Sequence, residues 1–139
     1  MIVADTGAVL ALLDAGDRHH KQLLAIFEAD PDAWVLPWAI LPEVDYLVLT
    51  HLGQKIELTL LEDLAAGRWR VEWGDEDDVE RAHEIARRHR ALELGLVDAV
   101  VMAVAERLEA DAIATLDLRD FAAVTLKGNP RLIPRDQQT

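Results

Sequence analysis

Short apolar runs alternate with stretches of helical periodicity along almost the whole chain, and that alternation leaves few folds open. The run MIVA opens it and ends at Asp5; GAVLALLD follows with helical character and breaks at Ala15-Gly16. Asp17 is placed to N-cap a second helix, whose Leu23, Leu24 and Phe27 recur at helical spacing. AWVLP (33–37) is a second strand signal. AILPEVDYLVLTHLG then returns to helical spacing; Pro42 is tolerated only in the first turn, which puts Glu43 near that helix's start. QKIELTLLEDLAAG is another helix, closed by Gly67. In RWRVEW, Trp69, Val71 and Trp73 share one face, as in a half-buried strand.

The second half repeats the theme. DEDDVERAHEIARRHRALELG has acids in its first turn and Arg87, Arg88 and Arg90 late, matching a helix dipole at both ends. LVDAVVMAVAERLEAD is apolar on nearly every side before Glu106, so it predicts a central buried helix with Asp98 near its beginning. DAIATLD supplies a strand over Ala112 to Thr115 and delivers Asp117 just past its end. AVTL (123–126) is a candidate fifth strand, and KGNPRLIPRDQQT, with two prolines and a polar end, predicts a partly loose tail over about 130–139. Strands alternating with helices imply a mostly parallel sheet covered on both faces: one α/β domain over 1–139.

Composition bounds the chemistry. With 139 residues, 51% of them hydrophobic, the chain can build a core. It has no cysteine, which removes disulfides, thiolate metal sites and cysteine nucleophiles. The start lacks a basic segment and a long apolar run, so no signal peptide is read, and no run reaches the ~20 apolar residues of a membrane span. A soluble, cytoplasmic protein with no membrane partner is the expectation. The 26 acids against 14 Lys and Arg give a net charge of −12, which repels phosphate backbones and suits a basic partner or carboxylates gathered around divalent cations.

Four acids stand at element ends. Asp5 and Asp117 follow strands; Glu43 and Asp98 lie near helix starts, where backbone N–H groups favour a carboxylate. Sites in open α/β sheets form outside the carboxyl ends of strands, so the four can converge there. Asp98 is the most telling, because Val97, Ala99, Val100 and Val101 surround it and no Lys or Arg in that stretch can pair with it. Clustered carboxylates without cations require something positive, and oxygen-only ligation selects Mg²⁺ or Mn²⁺. Such a site activates water and neutralises a phosphoryl oxygen, the needs of phosphodiester hydrolysis. Asp5-Thr6-Gly7 also matches the triplet of aspartic proteases, but it leads into a helical stretch in a chain without a partner triplet or flap.

Together IVADTGAVLALLD, PEVDYLV, LGLVDAVVMAVAERL and ATLDLRDF resemble the PIN-domain ribonucleases, most closely the VapC-type toxins of toxin–antitoxin pairs. The resemblance implies a Rossmann-like three-layer α/β/α domain that cleaves RNA with Mg²⁺ or Mn²⁺, leaving 5′-phosphate and 3′-hydroxyl ends. It implies that Asp5, Glu43, Asp98 and Asp117 hold metal and activate water, with Thr115 and Thr6 hydrogen-bonding inside the site. A cognate antitoxin, small and basic, and a homodimer are also implied. One position departs: Gly7 stands where many relatives carry Ser.

Other readings remain beside this one. A phosphatase with Asp5 as nucleophile needs an acid where Gly7 sits. A PIN-like module that binds RNA or a partner without cutting is the alternative to the enzyme. Arg87, Arg88 and Arg90 are candidate RNA contacts against a plain solvated face. Asp45 is read as solvated, and the four tryptophans as core or dimer surface. For Asp117, beside Arg119 and Asp120, a salt-bridged turn is the bland reading, and the Thr-x-Asp position favours Asp117 over Asp120 as the site acid.

Overall fold

The computed structural model describes residues 1–137. The described residues form five parallel strands and seven α-helices. β1 (Ile2–Ala4) leads into α1 (Thr6–Leu13), and α2 (His20–Ala29) precedes β2 (Trp34–Pro37). A 3₁₀ turn, Trp38–Ile40, leads to α3 (Leu41–His51), which packs on α4 (Gln54–Ala65). β3 (Val71–Glu72), α5 (Glu76–Arg88), α6 (Leu96–Arg107), β4 (Ala112–Ala114), α7 (Leu118–Phe121) and β5 (Arg131–Ile133) complete the order. The sheet runs β3-β2-β1-β4-β5, with every pairing parallel. No described helix is long and apolar enough to cross a membrane.

Burial follows the pattern of the residues. Val3 and Ala4 of β1, and all of β4, are fully buried, as strands covered on both faces require. α6 is buried continuously from Ala99 to Ala105, and its alanines let it lie close against β1 and β2. α5 joins it through ion pairs. Arg81 holds Glu106 with two hydrogen bonds of 2.7 and 3.1 Å, and Arg107 reaches both Asp78 and Glu72. At the start of α5, Asp75 and Asp78 form a reciprocal capping box.

Four local expectations need correction. The fifth strand is Arg131–Ile133, not AVTL, and it lies in the stretch expected to be loose. Its pairing with β4 buries Leu132 and Ile133, which outweighs the two flanking prolines because neither interrupts the ladder. Residues 138 and 139 of that tail lie outside the described residues. Trp73 leaves the face of Trp69 and Val71 and is 75% exposed, because pairing stops at Glu72 and Gly74 turns the chain at φ +97°. Asp17 does not cap α2; it accepts the His19 N–H in the loop before it, and the helix begins at His20.

Candidate active site

Strand order reverses direction at β1, whose neighbours β2 and β4 lead away to opposite edges; a crevice opens at such a switch point beyond the carboxyl ends. Asp5 is the first residue after β1. Its N–H donates to the Ala114 carbonyl at 2.9 Å, so it stands beside the end of β4. The next residue on that neighbour, Thr115, donates its hydroxyl to Asp5 Oδ2 at 3.0 Å, while the Thr6 N–H donates to Oδ1 at 2.8 Å. Both oxygens of a buried carboxylate are thus oriented, and each keeps a lone pair. Thr115 Oγ1 also accepts the Asp117 N–H at 3.0 Å, and Asp117 caps α7 by accepting the Asp120 N–H at 3.2 Å. One threonine ties the two strand ends together.

Asp98 enters from the first turn of α6, the helix that runs back to β4. Oxygens of Asp98, Asp117 and Asp120 all lie within 4.8 Å of one another. Glu43, in the first turn of α3, is exposed at the rim, yet its charge acts on both Asp5 and Asp98. The predicted acids Asp5, Glu43, Asp98 and Asp117 therefore meet, and a fifth, Asp120, joins them. The Thr-x-Asp position favours Asp117 over Asp120 in the sequence, which leaves Asp120 out of the expected set. No ion pair of Asp120 is formed among the described residues, and its Oδ1 is buried without a hydrogen-bond partner.

The electrostatics follow from burial and crowding. Burial raises the Asp98 pKa most, and the charges of Asp5, Asp117, Asp120 and Glu43 add to it, bringing it to about 7. Burial also raises Asp5, against the lowering effect of its two donors. Thr6 Oγ1 is buried with no partner, so the side-chain bond expected of Thr6 is not made; its backbone N–H serves instead. Asp45, read from the sequence as solvated, is only partly so: its Oδ1 is buried without a hydrogen-bond partner, and its carboxylate beside Glu57 of α4 raises the pKa of that group. Arg87, Arg88 and Arg90 are exposed at the end of α5 and just beyond it. Arg88 is paired with Glu84, and none of the three bonds to the acid cluster among the described residues. A Cβ on Gly7 would meet only Leu116 Cβ, at 3.9 Å, so a Ser would fit there.

The donor set fits a divalent cation. Three close carboxylates, a buried oxygen lacking a partner and, among the described residues, no ion pair to any of the three are what a hard, oxygen-preferring ion would complete. A pH signature follows. Between pH about 4 and about 7 the folded chain holds a proton on Asp98 that the unfolded chain has released, so metal-free stability falls as pH rises through that window. Thermal melts with and without Mn²⁺ should therefore show a cation-induced rise in Tm that is large above pH 7 and fades toward pH 5. A rise independent of pH would mean that the ion binds elsewhere.

The chain belongs to the PIN domain family, whose model matches residues 2–126. It is 32% identical to Ribonuclease VapC26 of Mycobacterium tuberculosis over 94% of this chain and 96% of that protein. Among solved structures it is similar to Mycobacterium tuberculosis VapC20, described as a sarcin-ricin loop cleaving toxin, with TM-score 0.79 and 26% identity over 92% of this chain and 98% of that one. VapBC2 from Rickettsia felis, bound to a promoter DNA fragment, matches with TM-score 0.69 over 95% and 97% of the two chains; at 15% identity that likeness shows the fold.

Proposed function

We propose that this chain is a metal-dependent endoribonuclease toxin that hydrolyses RNA to 5′-phosphate and 3′-hydroxyl ends and is restrained by a cognate antitoxin. The observation that carries the reading is the convergence of five carboxylates on the switch point, one with a buried, unpartnered oxygen. The family and the ribonuclease names of its relatives support RNA as substrate.

Asp98, Asp117 and Asp120 would hold Mg²⁺ or Mn²⁺, with Asp5 facing them and Glu43 at the rim. A divalent ion there supplies Lewis acidity toward a phosphoryl oxygen and lowers the pKa of water. The protein's own part is positioning. Thr115 and the Thr6 amide keep Asp5 in one orientation, and Thr115 fixes the backbone that carries Asp117. Asp5, raised by burial, is a stronger proton acceptor than an exposed aspartate and stands where it can orient an attacking water.

Asp120→Asn should weaken Mn²⁺ binding at pH 7.5 roughly 10- to 100-fold, the scale seen when groups supporting a metal site are removed. Calorimetric titration of Mn²⁺ checks this, and an unchanged affinity would restrict Asp120 to a role in α7. Protein that binds Mn²⁺ yet cuts no RNA from a broad pool would favour the binding-module alternative.

An antitoxin and a second copy of the chain are the proposed partners. VapBC2 and a toxin–antitoxin complex from Klebsiella pneumoniae share the fold, which supports the first. Tyr46 and Leu49 on α3, with Leu58 and Leu61 on α4, are exposed apolar side chains suited to a protein partner. A cytoplasmic location goes with this reading, and Arg87 and Arg90 are left as outlying RNA contacts.

A further inference from the structure

Beside the acid cluster lies a cleft of about 380 Å³, a size common for small-ligand sites. Thr115, whose hydroxyl donates to Asp5, forms part of its lining, so the cleft is joined to the acid cluster through that one side chain. Its polar lining is Arg18, His19 and Gln22, from the loop before α2 and its first turn, and Arg135 after β5. Its apolar lining is Leu116, Leu118 and Pro134.

The loop that carries the cation is hydrogen-bonded at both His19 and His20. His20 donates from Nδ1 to the Ala11 carbonyl at 2.8 Å, and Asp17 accepts the His19 N–H at 2.7 Å. Arg18 Nε donates to His19 Nε2 at 3.2 Å, and both side chains line the cleft. Arg135 is already committed to Asp136 through two hydrogen bonds, whereas Arg18 has no carboxylate partner among the described residues.

A substrate with several phosphates is repelled by the carboxylates that must receive one of them, in a protein of charge −12. A cation in the cleft that Thr115 joins to the cluster offsets that repulsion for the flanking phosphate, and the apolar lining of the same cleft suits the face of a base. We propose that this cleft is the subsite for the nucleotide adjoining the scissile phosphate, with Arg18 on its phosphate and Leu118 and Pro134 against its base. The proposal rests on the reading of the chain as an RNA-cutting enzyme. RNA is favoured over an acidic peptide because the cleft is lined by Thr115, the partner of Asp5, rather than by the exposed apolar residues of α3 and α4.

The first probe is a mononucleotide, 5′-UMP or 5′-AMP, titrated with Mg²⁺ into ¹⁵N-labelled protein, because it needs no knowledge of the RNA target. Amide shifts should cluster at His19, Gln22, Leu116 and Leu118, and Arg18→Gln should weaken binding roughly five- to tenfold. For RNA cleavage, Arg18→Gln should raise KM by a similar factor and flatten the salt dependence by about one phosphate contact. Arg131→Gln, an equal charge change at the start of β5, should leave KM alone. If the shifts map elsewhere, or the two variants behave alike while RNA is still cut, the subsite is wrong and the nuclease reading survives. If Arg18→Gln spares RNA but weakens antitoxin binding, the cleft is a peptide site and the proposal fails. If the protein cuts no RNA yet binds mononucleotide through Arg18, the nucleotide site stands and the nuclease reading falls.

Discussion

Asp98→Asn should slow RNA cleavage roughly 10²- to 10³-fold, the range found when a single electrostatic contributor to a transition state is removed. It should also make the metal-free protein more stable above pH 7. Both follow from one placement. Asp98 sits at the start of a helix buried along its length, facing four other acids, and its pKa is raised to about 7 by burial first and their charges second. The asparagine keeps the shape and removes a charge that the fold disfavours. Above pH 7 the parent must carry that charge and the variant need not, so the variant melts higher without metal and gains less from Mn²⁺. A site kept for chemistry at the expense of stability predicts this opposition. Loss of activity together with loss of metal-free stability would instead make Asp98 a structural residue.

Arg107→Met should be the most damaging single change away from the site, destabilising the protein by about 3–5 kcal/mol. Arg107 donates to Asp78 from Nε at 2.6 Å and from Nη2 at 3.0 Å, and Asp78 is 2% exposed. Without the arginine, Asp78 is left buried and charged with one donor, the Asp75 N–H at 3.0 Å. Domains of this kind are stable by only ~5–15 kcal/mol, so the loss should appear as a fall in Tm of roughly 10 °C or more. Adding Asp78→Asn to Arg107→Met should restore part of it, because the orphaned charge goes. A double variant as unstable as the single would place the loss in packing between α5 and α6 rather than in the buried carboxylate.

What was legible in the sequence were features with local causes. Asp5 and Asp117 could be placed because strand ends in an α/β chain mark the site edge. Asp98 stood out because an acid in an apolar helix with no neighbouring cation needs another partner. Asp120 was not legible: the Thr-x-Asp pattern points to Asp117, and only the fold brings the Asp120 carboxylate to within 4.8 Å of Asp98 and Asp117. β5 was hidden because Pro130 and Pro134 bracket three residues whose strand character comes from β4 alongside. The break in RWRVEW lies at Gly74, whose positive φ ends an alternation that looked continuous. The cleft at Arg18 was beyond reach, since its walls come from residues 18–22, 115–118 and 134–135, brought together by parallel pairing of distant strands.

The most direct test of the acidic cluster as a metal-dependent nuclease is to map the ends of RNA cut by antitoxin-free protein. A mixed pool of structured RNAs would be incubated with Mg²⁺ or Mn²⁺, beside EDTA and beside Asp98→Asn. Discrete cuts bearing 5′-phosphate and 3′-hydroxyl ends, lost in both controls, are the predicted result. Cutting that persists in EDTA or in Asp98→Asn, or ends carrying a 2′,3′-cyclic phosphate, would contradict the assignment of hydrolysis to these five carboxylates.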